Sequence, residues 1–412
     1  MSKVEVHMIH PFPPSCVNRE GGNRPKMCDF GGVSRGRMSS QCAMYSIRQM
    51  MQQIDEDEDF GIRTMPEKHL VDELAGMGDA QTVKAVAHLA CACFLPKSKK
   101  DKENDAKKKN SKKSKSKANA KAKAEVEEAS DEADENASDD SEEDTEKNGK
   151  KQVLRFLSRV GYDEFVRLCR ENFQELAGGT VSEDLKSQLS DAFFRKSIGT
   201  IAFGRMMAEL PIQNLESAIQ ASHAISVNVC QIESDYFTGC DDLNTSADQG
   251  AAHLNDQDFI TPVFYRYFAL DTSILEEAGA SQEAICKFVA DWLKSVIFAM
   301  PTGKKTSFAH FTLPDFVAVT VKDEGRQSNL VSAFMNPIDC NISDAAVDKL
   351  SDYWNRINKL CASKNDDGTT KKFITFGAYC GVHTPDPLPV DWEQKDGYED
   401  VIKSIIEVLK KK

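Results

Sequence analysis

From Lys3 to Ile9 apolar and polar residues alternate, with Val4, Val6 and Met8 set against Glu5 and His7. A period of two predicts a half-buried strand. The period then lengthens, and Ser40 to Gln53 reads as a helix with Ser39 or Ser40 as its N-cap. Residues 57–95 and 151–196 carry helical patterns broken by loops; the spacing of Leu154, Phe156, Leu157, Val160, Phe165, Val166 and Leu168 marks one of them. From Ser197 onward strands and helices alternate. Ile198–Phe203 reads as strand, Leu215–Ile225 as helix, Val263–Ala269 as strand and Ser281–Met300 as helix. Phe316–Val321 is then a strand, Asp344–Leu360 a helix, Phe373–Tyr379 strand-like, and Tyr398–Leu409 an amphipathic helix. A strand and helix at the start, with more strands and helices much later, fit an α+β sheet interrupted by insertions.

The pattern stops between Pro96 and Lys151. Residues 97–124 carry thirteen lysines against three acids, residues 125–146 carry thirteen acids and no lysine or arginine, and Val126 is the only large apolar residue. Such a segment cannot bury enough apolar surface to offset its ordering entropy, which predicts disorder. It reads either as a nonspecific nucleic-acid tether screened by its own acidic block or, more plainly, as a tolerated solvated insertion. The remaining chain is long enough for two cores, or one core with large elaborations. Its longest apolar run, about Ala85 to Leu95, contains His88 and is too short to span a bilayer. Lys3 and Glu5 stand where a signal peptide needs an apolar core, so a cytoplasmic protein with no membrane partner is expected. Twelve cysteines are scattered, only Cys91 and Cys93 lie close, and there is no CxxC pair. Reduced thiols and no structural zinc follow.

Charge changes the picture at one place. The chain carries a net charge of −13, yet Pro13 to Arg48 holds six cations, Arg19, Arg24, Lys26, Arg35, Arg37 and Arg48, against two acids, Glu20 and Asp29. Gly21, Gly22, Gly31, Gly32 and Gly36 allow close backbone approach, so amides as well as guanidinium groups can face phosphates. The segment is either a polyanion site or a solvated basic loop beside a core strand. Catalytic motifs do not hold up. Gly32-Val33-Ser34-Arg35-Gly36 fits GxSxG in letters, but no apolar strand precedes it. Gly303-Lys304 lacks the upstream glycine and the following Ser/Thr of a phosphate loop, having Phe298 and Lys305 instead. His7 and His10 face opposite sides of their strand and cannot share a metal, and His223 is expected to pack on a helix. Asp241-Asp242 is the one pair that can be read as a divalent-ion site, although sequence neighbours converge poorly on one ion. No catalytic residue, metal or cofactor is assigned.

The wording of the basic segment is more specific than its charge. Asn18-Arg19, Pro25-Lys26, Phe30-Gly31-Gly32 and Arg35-Gly36-Arg37-Met38-Ser39-Ser40-Gln41 resemble the opening signature of the CasC family, the repeated backbone of the type I-E CRISPR RNA-guided surveillance complex, Cascade. Further blocks agree in order: Phe203-Gly204-Arg205-Met206, Ala221-Ser222-His223-Ala224-Ile225, Asp235-Tyr236-Phe237-Thr238 with Asp241-Asp242-Leu243, Phe264-Tyr265-Arg266-Tyr267, Pro301-Thr302-Gly303-Lys304, and Asn329-Leu330 with Ala333-Phe334. The resemblance implies an RNA-recognition-motif-like (ferredoxin-like) palm over 1–53 and 197–412. It also implies a helical fingers domain over 54–196 that contains the insertion 96–151, and a thumb hairpin at about 230–260. It implies a grip on RNA by Asn18, Arg19, Arg35, Arg37, Ser39, Ser40, Gln41 and Arg48, with Met206, Tyr236 and Phe237 beside a kinked nucleotide.

The partners implied are CRISPR guide RNA, target DNA paired to it, copies of the chain head to tail, and other Cascade subunits. RNP-type aromatic motifs are not visible, so stacking on an exposed sheet is not expected. The chain departs from the family after Ser-Ser-Gln, where Ala43, Met44 and Tyr45 replace an aromatic and a basic pair. Either Tyr45 stacks on a base or the lysine-rich insertion compensates. Two alternatives stand beside this reading: a metal-dependent ribonuclease using Asp241 or Asp242, and a monomeric RNA-binding regulator.

Overall fold

The structure, a computed structural model, describes residues 2–94, 154–207, 210–239, 253–323, 326–361, 363–364, 370–371 and 374–411. The expected insertion at 96–151 and the pair Asp241-Asp242 lie outside the described residues. The chain divides into two units, one of Met1–Phe60, Ile201–Gly204 and Glu216–Lys412, the other of Gly61–Thr200 and Arg205–Leu215. Among the described residues no helix is long and apolar enough to cross a membrane.

The first unit is built on strand β1 (Lys3–Pro11). The hairpin β2 (Met27–Phe30) and β3 (Val33–Met38) follows, and then helix α1 (Ser40–Ile54). Two short strands, β4 (Ile219–Ala221) and β5 (Ala224–Ser226), precede a second hairpin, β6 (Glu233–Gly239) and β7 (His253–Phe259). Strand β8 (Val263–Asp271), helix α2 (Gln282–Phe298) and strand β9 (Phe316–Lys322) come next. Helix α3 (Ile342–Cys361), strands β10 (Phe376–Gly381) and β11 (Trp392–Gln394) and helix α4 (Tyr398–Lys410) complete the unit. The main sheet runs β11-β10-β9-β1-β8-β5-β3-β2, with β4 also on β8. Its pairings are antiparallel except for β10 with β11.

The expectation of a half-buried first strand is corrected. Neighbouring side chains on a strand face opposite sides, and here Val4, Val6 and Met8 are buried as fully as Glu5, His7 and Ile9. The reason lies far along the chain. Helix α3 places Ala346, Val347, Leu350 and Trp354 in one core with Ile9, Tyr265, Tyr267, Phe316, Tyr379 and Trp392, while α4 packs on β9 and β10 and α2 packs on α1 and α4. Glu5 and His7 each find a partner under α3, although among the described residues His7 Nε2 and Trp392 Nε1 stay without one. Glu5 meets Lys322 Nζ at 2.5 Å and accepts from the Tyr267 hydroxyl at 2.7 Å, and His7 Nδ1 lies 2.9 Å from the Tyr265 hydroxyl. The sheet aromatics are therefore covered and are not offered to a ligand.

Two further expectations change. Ile198–Phe203 is a helix, not a strand, and Ser197 bonds back to it through Thr200 N to Ser197 Oγ at 3.2 Å. A short apolar run fits either state until its neighbours decide. Leu215–Ile225 is not a helix: the edge of β8 offers hydrogen bonds that β4 and β5 take up, and Ser222 N donates to Tyr267 O at 3.0 Å. The late strand runs Phe376–Gly381, and Phe373, where the expectation began, lies outside the described residues.

In the second unit, helices Pro66–Glu73, Ala80–Ala92, Arg159–Glu171 and Glu183–Phe193 close on a core of Leu70, Val86, Phe165, Leu168, Leu189 and Phe193. Two short strands, Ile62–Thr64 and Arg155–Leu157, pair antiparallel. Leu154 and Val160, read as part of the apolar stripe, are exposed instead.

Candidate nucleic-acid interface

The basic segment folds as a loop, a hairpin and a helix start that hold one another. Asn18 is the tie. Its side-chain carbonyl accepts from Ser39 N at 2.9 Å, and its backbone carbonyl accepts from Lys26 N at 2.9 Å. Ser39 is buried, and its hydroxyl accepts from Cys42 N at 3.3 Å, which makes Ser39 the N-cap of α1. The β2–β3 turn uses Gly31 and Gly32 at φ +66° and +79°. A Cβ on Gly31 would overlap the Met335 carbonyl oxygen, so glycine is required there twice over, for conformation and for space.

Arg35 and Arg37 sit two apart on β3 and meet different surroundings. Arg35 is fully buried. Its guanidinium donates to Ser226 O at 2.8 Å, Phe334 O at 2.9 Å and Met335 O at 3.4 Å, and it lies 5.9 Å from the Phe30 ring centroid. The expectation that Arg35 grips phosphate is thereby corrected: its donors fasten the hairpin to β5 and to the 334–335 turn. Arg37 is only half-buried, with Nη1 2.9 Å from His223 Nδ1. Burial, with Arg37 and Lys26 beside it, holds the His223 imidazole below its usual range. His223 was read as packing on a helix; it stands exposed between β4 and β5 within a cationic cluster. Local periodicity carries no sign of this, because the segment reads as helical.

On the other side of Asn18, Arg19 Nη1 donates to Asn23 Oδ1 at 2.6 Å. The loop 301–309 comes against it: a Cβ on Gly303 would sit 2.6 Å from Val17 O, and Lys304 adopts φ +54°. The Cys16 thiol is pushed up to about 11 by burial, against the opposing influence of Arg19 and Lys304, which places both cations near it. Lys304 thus joins the cluster, although its motif failed as a phosphate loop. Ser40 and Gln41 lie at the exposed start of α1, and Arg48 lies two turns on, over the Tyr45 ring.

The hairpin β6–β7 pairs in regular register, Tyr236 opposite Asp256 and Phe237 opposite Asn255. The two aromatics therefore point to opposite faces. Both are exposed, Tyr236 at 65% and Phe237 at 40%, so neither is a core residue. The hairpin base is tied to the basic loop by Arg24 Nε to Asp258 Oδ2 at 2.7 Å and by the Ser15 and Ile260 backbone pair. Met206 belongs to the second unit and is 88% exposed, beside the Arg205 and Leu215 backbone pair. Among the described residues, no group of three or more His, Cys, Asp or Glu is placed to hold a metal ion. The arrangement offers cations, a helix start and open backbone to phosphates, with nothing that selects a base.

The fold is that of chains in RNA-guided complexes. It is similar to a chain of a "CRISPR RNA-guided surveillance complex, pre-nicking" at 23% identity, with 99% of this chain and 100% of that chain covered and a TM-score of 0.75. It is also similar to a chain of a "CRISPR RNA-guided surveillance complex" at 20% identity, covering 98% and 99%, with a TM-score of 0.66. No curated protein matches the chain. The chain belongs to the family of CT1975-like proteins, which it matches over residues 4–376.

Proposed function

We propose that this chain is a subunit of a CRISPR RNA-guided surveillance complex that binds the guide RNA through the cationic loop, β3 and the start of α1. The observation that carries the reading is Asn18 fastening a cationic, glycine-rich loop to the N-cap of α1, in a chain whose fold matches a surveillance-complex chain from end to end. Within that class, the motif blocks favour CasC of a type I-E Cascade. The order β9-β1-β8 with β4 and β5, α1 following β1 and α2 following β8 in the chain, supports reading the first unit as a ferredoxin-like palm. The helical second unit then corresponds to the fingers and the β6–β7 hairpin to the thumb. The subunit has no catalytic role. It polymerises head to tail along the guide, whose length ends the filament, and presents the bases to target DNA beside the other Cascade subunits.

The test is co-expression with a CRISPR array, followed by a denaturing gel of the bound nucleic acid. A discrete, RNase-sensitive band of guide size is expected, and particle size should lengthen in steps with guide length. Heterogeneous fragments or no RNA would refute the assignment. RNA cut during incubation with magnesium or manganese would refute the non-catalytic role.

A further inference from the structure

The exposed line of α1 carries a feature that phosphate binding does not use. The helix buries Ala43, Ile47 and Met51, and Gln41, Tyr45 and Arg48 follow one another at i, i+4 and i+7 on another side. Tyr45 is 51% exposed, which leaves a face of its ring open to a ligand. The Arg48 guanidinium carbon lies 5.8 Å from the centre of that ring, within cation–π range, so Arg48 holds the ring in place as it rises from the helix. From Phe30 to Ile54 the chain carries no acid, although the protein as a whole is acidic. The acidic run 55–59 begins only where α1 ends, and its first member, Asp55, pairs with Lys287.

We infer that Tyr45, backed by Arg48, is a stacking platform for one unpaired base of a single-stranded RNA whose phosphates lie on the loop and β3. The inference rests on the guide-binding reading and adds a contact of different chemistry to it. A flat π-face accepts any base, so the platform adds affinity without selecting sequence, and it needs the base unpaired on that side. Where the sequence offered either stacking by Tyr45 or compensation by the lysine-rich insertion, the geometry points to the first.

The test uses the full chain with Tyr45→Trp. Its other tryptophans, Trp292, Trp354 and Trp392, are buried, so a tryptophan at 45 is the exposed reporter. Titration with a single-stranded RNA should quench the added fluorescence, and inorganic polyphosphate, which supplies charge without bases, should not. Tyr45→Ala should weaken binding about 5- to 150-fold, the range for one lost base stack, without changing its salt dependence, and Tyr45→Phe should retain binding. Equal quenching by polyphosphate, or unchanged binding by Tyr45→Ala while Arg37→Ala binds more weakly, would overturn the platform and leave the guide-binding reading standing. If neither the parent chain nor its variants bind RNA, both readings fall together.

Discussion

Arg35 and Arg37 are two residues apart in one motif, and replacing each with alanine should have opposite consequences. Arg35→Ala removes three hydrogen bonds from a buried guanidinium to Ser226 O, Phe334 O and Met335 O. Bonds to a charged donor contribute about 1.5–3 kcal/mol each, and a buried carbonyl left bare costs about 1–3 kcal/mol. Against this, the alanine no longer has to desolvate a cation, the same burial that lowers the Arg35 pKa. The balance is a loss of about 2–4 kcal/mol, in the range of mutations that break buried polar networks. Arg37→Ala gives up a half-buried contact with His223 and should cost under about 1 kcal/mol. Urea unfolding followed by tryptophan fluorescence reads this directly, because Trp292, Trp354 and Trp392 all belong to the first unit. Arg35→Ala should lower the midpoint by on the order of 1 M, and Arg37→Ala should leave it in place while weakening RNA binding. An unchanged midpoint for Arg35→Ala, with RNA affinity lost, would show that Arg35 reaches RNA and that its assignment as a fastener is wrong.

Other consequences can be measured on the same material. Gly32→Ala should cost about 1–2 kcal/mol for its left-handed backbone alone; Gly31→Ala, which also collides with Met335 O, should cost clearly more, and equal losses would refute the required close approach. Burial holds the His7 pKa at about 4, against 6.5 for an ordinary histidine. The unfolded chain therefore binds a proton that the folded chain refuses, so stability is intact above pH 6.5 and lost progressively toward pH 4, by about 2 kcal/mol at pH 5. Urea midpoints at pH 7 and pH 5 check this, and equal midpoints would contradict it. The His223 pKa is also lowered, but bound phosphate favours its charged form, so RNA binding should tighten as pH falls from 7.5 to 5.5, by at most about tenfold per unit. His223→Gln should flatten that profile.

The elements that read correctly from sequence are those whose own residues decide them. Helix α1 has its cap in Ser39, α2 has Ser281, and β8 and β9 are β-branched and aromatic runs with no competing period. What the sequence hid depends on partners far away in the chain. The half-buried reading of β1 failed because Glu5 and His7 look solvated until α3, more than three hundred residues later, covers them and Lys322 and Tyr265 bond to them. Arg35 and Arg37 looked equivalent because alternation places them on one side of β3. Ser226 and the 334–335 turn, both contributed by distant segments, separate them. His223 was lost for the same reason that β4 and β5 were: their hydrogen bonds belong to the edge of β8.

Covering the sheet has a consequence for how RNA can be held. With Tyr265, Tyr267 and Tyr379 buried under α3, the proposed grip falls to the loop at the sheet edge, and on that reading its affinity comes largely from charge. Setting aside Arg24, which is exposed but paired with Asp258, the cations of the loop, β3 and α1 that are not buried are Arg19, Lys26, Arg37 and Arg48, with Lys304 beside them. Each phosphate neutralised on a single strand contributes about −0.7 to the slope of log K against log salt, so these five together give about −3.5 per subunit. The acids of the body do not cancel this, since at physiological salt their field decays over about 8 Å. Arg37→Ala should reduce the slope by about 0.7, and Tyr45→Ala should leave it alone. Deleting residues 97–124 separates the two readings of the lysine block. A solvated insertion leaves the slope near −3.5, whereas a nucleic-acid tether steepens it in the intact chain and its removal restores the smaller value. A slope near zero in the intact chain would sink the electrostatic grip itself.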